Sequence, residues 1–131
     1  MTPVIPSTEA YANEPVRYPP LVVVDVAADA KAVTAEYQNQ VLSRVNTSCL
    51  RLGVISGQYP WHQHPRSDEL FLVLEGLLEI ELADGRMLQL NPWQSVVVPA
   101  GTVHRTRGVG RTVNLCFEDL AADTVFVDRG T

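Results

Sequence analysis

The chain has 131 residues, 46% of them hydrophobic, and a formal net charge of −5. That length suits one domain with a modest core, and an acidic balance without a basic cluster argues against nucleic acid as a partner. No apolar run approaches the roughly 18 residues of a membrane span, and no basic-then-apolar N-terminal stretch marks a signal peptide, so a cytoplasmic protein without membrane association is expected.

Residues 1–20 hold five of the nine prolines, Pro3, Pro6, Pro15, Pro19 and Pro20. Proline removes backbone donors and resists helix, so this segment reads as an arm, extended or disordered, separate from a single domain over 21–131. Tyr11, Val16 and Tyr18 are what a docked arm would bury. Leu21 to Val24 is a short apolar run that reads as an edge strand. From Val26 to Tyr37 the alanine-rich VAADAKAVTAEY predicts a short helix, with Asp25 as N-cap.

Beyond Val41 the pattern is β. Val45 to Ser56 alternates, with Leu50, Leu52 and Val54 on one face. Gly57 to Pro60 interrupts it. Leu70 to Leu74 and Leu77 to Leu82 follow as strands. Asp84-Gly85 predicts a tight hairpin of the type I′ kind, returning through Met87 to Leu90. Asn91-Pro92 marks a turn, Ser95 to Val98 a buried strand, and Val109-Gly110 another turn before the strand Val113 to Phe117. Thr124 to Val127 is expected to be the last strand. Seven or more short strands at this spacing predict an all-β sandwich or barrel.

The chemistry concentrates in WHQHPRSDELFLVLEG, Trp61 to Gly76. Residues two apart on a strand share a face, so His62 and His64 aim two imidazoles at one spot. Glu69 lies within the apolar run Leu70 to Leu74, where a bare carboxylate costs several kcal/mol to bury without a partner. The third histidine, His104, follows VVVPAGTVH. Three imidazoles and one carboxylate form a borderline donor set suited to Fe, Mn, Ni, Zn, Co or Cu as divalent ions. Phe71 and Val73 share the face of Glu69, and Thr106 that of His104, so these three are expected to line the adjoining pocket. Asn114 and Cys116 are further candidates whose face stays open. Asp68 should point away, and Trp61 reads as packing. Arg51, Arg105 and Arg107 could face either barrel or solvent. Cys49 and Cys116 read as buried free thiols.

These residues resemble the two motifs of the cupin superfamily. The first is usually written G-x5-H-x-H-x3-4-E-x6-G. Here Gly57 is followed by four residues, His62-Gln63-His64, four residues, Glu69, six residues and Gly76. The second, G-x5-P-x-G-x2-H-x3-N, is matched by Pro99-Ala100-Gly101 and His104. Trp93 stands where its opening glycine is expected, and Gly108 where its asparagine would be. The resemblance implies an all-β double-stranded β-helix, or jelly-roll, barrel. It also implies a divalent metal on His62, His64, Glu69 and His104. The same kind of site serves dioxygenases, isomerases, decarboxylases and non-catalytic binders, so a metal-dependent enzyme and a small-ligand binding or sensing module both stay open. One lysine beside nine arginines fits a GC-rich bacterial genome. Small cupins of this kind pair, so a homodimer is expected, with a small-molecule ligand or substrate.

Overall fold

The computed structural model describes residues 4–129. Two short helices precede a curled, nine-stranded sheet: α1 (Thr8–Ala12), α2 (Val26–Ala32), β1 (Tyr37–Val45), β2 (Ser48–Gln58), β3 (His62–Gln63), β4 (Glu69–Glu75), β5 (Leu78–Leu82), β6 (Met87–Leu90), β7 (Ser95–Val98), β8 (His104–Asp119) and β9 (Val125–Phe126). All strand pairs are antiparallel. This is the all-β jelly-roll barrel.

The long β8 is its spine. One edge pairs with β2 from Ser48↔Asp119 to Gln58↔Arg107. The other pairs with β5 through its first half, Leu82↔His104 to Leu78↔Gly108, and with β4 through its second, Glu75↔Val113 to Glu69↔Glu118. Between those halves the ladder slips around Gly110, whose φ is +70°. Sequence reasoning expected Val109-Gly110 to be a turn separating two strands. The strand instead continues, because a glycine in the left-handed region can bulge without ending the ladder.

The barrel has a distinct inside and outside. Ile55, Tyr59, Phe71, Val73, Leu78, Ile80 and Cys116 pack within it. The alternate residues Leu52, Val54 and Val113 face outward and are covered by Ala30 and Val33 from α2 and its C-cap, with Tyr18 and Val24 at the margin. The α2 helix begins as expected, the Asp25 side chain accepting from the Ala28 N–H at 3.0 Å. It ends at Ala32, earlier than predicted, since Val33 turns extended and Tyr37 opens β1.

Three further local expectations are corrected. Leu21 to Val24 forms no strand: Leu21 sits at φ +69° and Leu21 and Val23 are almost fully exposed, following two prolines that offer no ladder donors. Ser95 to Val98 is a strand, but only Val98 is buried. The Asp84-Gly85 hairpin forms with a longer loop than type I′: Gly85 N–H donates to Leu82 O and Leu82 N–H to Arg86 O, the pattern of a three-residue loop with its glycine, at φ +95°, on the left-handed position.

The arm contains a helix that its prolines do not predict. Ser7 caps α1, accepting from the Ala10 N–H at 3.1 Å. Beyond it, Arg17 N–H and Tyr18 N–H donate to Val41 O and Leu42 O on the edge strand β1.

Candidate metal centre

His62 and His64 are placed by β3 and the residue after it, Glu69 by the first position of β4, and His104 by the first position of β8. All four are buried, with candidate ligand atoms within 4.8 Å of one another. His62 and His104 are cross-strand partners. Gly101 N–H donates to His64 O at 3.0 Å, which ties the second histidine segment to the first.

The outer nitrogen of each ring fixes the inner one. His62 Nδ1 lies 2.8 Å from Pro60 O, His64 Nδ1 3.0 Å from Asp123 O, and His104 Nδ1 2.8 Å from Thr102 O. A carbonyl only accepts, so each Nδ1 carries the hydrogen, and in a neutral ring the Nε2 lone pair is free. The Nε2 atoms of His64 and His104 and Oε1 of Glu69 are buried without a hydrogen-bond partner. His64 Nε2 lies 3.1 Å and His104 Nε2 3.6 Å from Glu69 Oε1. Unpartnered basic atoms converging on one point, each ring held from behind by a backbone carbonyl, fit a divalent cation.

The electrostatics agree. Burial, then the neighbouring His104, pushes His62 down to about 3, so this ring is neutral. Burial alone would also lower His64, but the Glu69 carboxylate outweighs it and lifts His64 to about 9. Burial would raise Glu69; His104 and His64 more than offset this and hold its carboxyl well below the usual range. Glu69 is thus a fixed buried anion, and a proton on His64 and a metal ion would compete for the same place.

A cavity of about 50 Å³ adjoins the four residues. Phe71 and Thr106 line it, as do Asn114 and Cys116. Val73 is fully buried in the core beside it and is not among the lining residues. Trp61 is not among the lining residues, and the guanidinium groups of Arg105 and Arg129 lie over its ring at 4.6 and 4.4 Å. Asp68 is exposed and accepts from Ala100 N–H at 2.9 Å. Arg105 and Arg107 pair with Glu81 and Glu79 on the outer surface. Cys49 and Cys116 are free and buried.

Sequence reasoning missed a second buried polar cluster beside the centre. Arg51 is 2% exposed, and its Nε lies 2.8 Å from Glu118 Oε1. Tyr11, from the arm, donates its hydroxyl to the same carboxylate. Burial and the charge of Glu69 push Glu118 up to about 7 despite Arg51. Tyr37, Asn39 and Tyr59 also line the cavity. The sequence signals for these were Arg51, whose facing the sequence left open, and the aromatic residues in the arm.

A model of the family described as Cupin domain matches residues 54–117. The chain is 47% identical over 105 residues to the uncharacterized protein YdbB of Bacillus subtilis, covering 80% of this chain and 93% of that one. Among solved structures, a cupin-2 domain containing protein from Shewanella frigidimarina superposes with a TM-score of 0.70 at 24% identity, covering 74% of this chain and 94% of the other. Ectoine synthase from P. lautus shares the fold at a TM-score of 0.62 and 15% identity, over 76% and 78% of the two chains. With the double-histidine strand, the buried glutamate and the jelly-roll topology already in place, these likenesses assign the chain to the cupin family.

Proposed function

We propose that the protein is a divalent-metal cupin whose His62, His64, Glu69 and His104 hold one ion, and whose cavity takes a small oxygen-rich molecule. The observation that carries this reading is the convergence of buried, unpartnered Nε2 and Oε1 atoms with every Nδ1 committed to a carbonyl. The donor set suits Fe, Mn, Ni, Zn, Co or Cu. A divalent ion so held supplies a Lewis acid with positions left for water or ligand. The chain's own part is to keep His62 neutral, the Glu69 carboxylate ionised and each Nδ1 committed to a carbonyl. Phe71, the buried ring of Tyr59 and the partly buried ring of Tyr37 give the ligand an apolar wall. Elemental analysis after purification without chelator should find close to one ion per chain. A chain that stays empty, and takes up no metal on titration, would overturn the reading.

Two uses of such a centre follow. An enzyme, a dioxygenase or an isomerase, needs a proton acceptor beside the metal. The non-catalytic binding module is favoured by one observation: the other titratable groups lining the cavity are the Tyr11, Tyr37 and Tyr59 hydroxyls and the Cys116 thiol, all pushed upward chiefly by burial and so protonated near neutrality, while Glu118, raised to about 7, is tied to Arg51 and Tyr11 outside that lining. A panel of hydroxy acids, sugar phosphates, flavonol-like and thiol compounds, run with each metal in air and under argon, separates the uses. Oxygen uptake marks a dioxygenase, turnover under argon an isomerase, and thermal stabilisation without turnover a binder.

We also propose a homodimer. The register aligns Val97, Leu70, Phe117 and Leu50 across β7, β4, β8 and β2. This stripe lies on the outer face of the sheet beyond the part covered by α2, and Val97 and Phe117 are 51% and 41% exposed. A second copy would cover it. The free thiols of Cys49 and Cys116 support a reducing, cytoplasmic setting, and no described helix is long and apolar enough to cross a membrane.

A further inference from the structure

The cavity beside the metal residues is walled in part by a side chain that does not belong to the barrel sheet. Tyr11 sits on α1, is 6% exposed, and is among the cavity's lining residues. Its ring stacks on His64 with centroids 5.9 Å apart. The Arg51 guanidinium lies over the same ring, 3.8 Å from its centroid. Arg51 Nη2 donates to Tyr11 O at 3.3 Å, and the Tyr11 hydroxyl donates to Glu118. Ring, hydroxyl and backbone are therefore all held, by His64 of the centre and by Arg51 of β2 and Glu118 of β8. The arm is anchored on both sides of this point, by Ile5 against the interior core and by Arg17 and Tyr18 along β1.

The space left is small. At about 10–15 Å³ for each water-sized centre, a cavity of about 50 Å³ has room for only a few heavy atoms. We propose that Tyr11 is a specificity-determining wall of this site, so that the docked arm restricts it to compact anions of a few heavy atoms and excludes ring-bearing ligands. Arg51 is paired with Glu118 and lies against the Tyr11 ring, so the metal-facing ligand meets a ring there and not a guanidinium. Removing the Tyr11 side chain enlarges the cavity toward the Arg51–Glu118 pair that Tyr11 contacts. This inference rests on the metal reading for its ligand class, but the wall itself can be tested without metal.

The test uses the full chain in wild-type form and as Tyr11→Ala, Tyr11→Leu and Tyr11→Phe. The first measurement is metal-free. Cys116 lines the cavity and Cys49 lies outside its lining, so labelling of each thiol by a compact reagent, methyl methanethiosulfonate, and a bulky one, N-phenylmaleimide, is followed by mass spectrometry. The bulky reagent should modify Cys116 about tenfold or more faster in Tyr11→Ala than in wild type, with Cys49 unchanged in both, as for an opening confined to one side of the molecule. Tyr11→Phe keeps the ring and should label like wild type. Equal acceleration at Cys49 would mean general loosening, and Tyr11→Leu, which keeps more of the packing, then decides by the same comparison. Equal Cys116 labelling in wild type and the opened variant overturns the proposal. The second measurement loads Co(II) and follows its visible absorption. Azide should perturb the spectrum of wild type and Tyr11→Ala alike, and benzohydroxamate only that of Tyr11→Ala. Perturbation of both by benzohydroxamate overturns the proposal. Absence of any Co(II) spectrum in wild type removes the metal reading instead, and the labelling result still decides the wall.

Discussion

His62 and His104 are direct cross-strand partners of β3 and β8, and their rings lie 4.3 Å apart, centroid to centroid. One backbone pairing therefore brings together imidazoles from the two ends of the double motif. The charge of one opposes the charge of the other, which contributes to the low value of His62. His62 is thereby kept neutral, as an imidazole must be to hold a metal. Replacing both by alanine should take bound metal from near one ion per chain to near none. The circular dichroism should stay β-rich, because the apolar interior around Ile80, Val73 and Leu78 does not depend on either ring. Global unfolding of the double variant would show that the centre is needed for the fold itself.

The second prediction concerns pH. His64 is raised from 6.5 to about 9 by Glu69. A raised group lends stability that is fully present below its unfolded value and lost as pH rises through its folded value. The metal-free protein should therefore lose stability between pH 6.5 and 9, by on the order of 3 kcal/mol. Metal binding must expel the His64 proton, so the stabilisation by added Zn should grow over the same window. At a hundredfold excess over Kd it amounts to about 3 kcal/mol. Thermal melts at the two pH values, with and without Zn, measure both trends. In Glu69→Gln the loss between the two pH values should largely vanish; its persistence would assign it elsewhere.

The third prediction concerns two turns. Trp93 occupies the position where the family motif has glycine, and it takes glycine's conformation, φ +69°, with its side chain 76% exposed. A left-handed non-glycine residue costs roughly 1–2 kcal/mol, so Trp93→Gly should raise the melting temperature by a few degrees. Gly76 is the opposite case. At φ +86° a Cβ would meet Arg111 O at 2.5 Å and the Thr112 Cα at 2.9 Å, both backbone atoms that cannot step aside. Gly76→Ala should cost about 2–4 kcal/mol. Chemical denaturation of the two variants checks both signs.

The fourth prediction tests pairing of copies. If Leu70 and Phe117 lie under a second chain, replacing both with glutamate places charge in an apolar contact and should give a monomer by light scattering, where the wild type gives a dimer. Both side chains point away from the cavity, so metal content should not change. A wild-type monomer at tens of micromolar would overturn the dimer.

The parts of this molecule legible in the sequence are those with local causes. His62 and His64 share a face because strands have a period of two, and Glu69 stood out as a carboxylate in an apolar run. Asp25, Asp84-Gly85 and the alternation from Leu78 to Leu82 likewise announce their own cap, turn and strand. What could not be read depends on contacts between distant segments. Tyr11 and Glu118 are 107 residues apart in the chain, and nothing around either one names the other. Arg51 could face barrel or solvent as far as its sequence position tells, and only its partners, Glu118 and Tyr11, place it inside. Leu21 to Val24 has strand composition, yet composition does not supply a neighbour to pair with. Trp93 violates the local rule for a left-handed turn, and only the observed turn shows that the chain tolerates the violation.

The slip in β8 also has a consequence for changes in chain length. Strand register decides which face each residue presents, so inserting one residue within His104 to Arg107 or within Val113 to Glu118 would reverse the faces of everything beyond it up to the next irregularity. Phe117 and Leu115 would turn into the barrel, and Cys116 and Asn114 would turn out. Around Gly110 the pairing is already interrupted, and a side chain added there meets nothing within 4 Å. An extra residue at that point would lengthen the bulge and leave both halves of the strand in register. Natural and designed insertions in β8 should therefore be tolerated at 109–111 and rejected a few residues to either side.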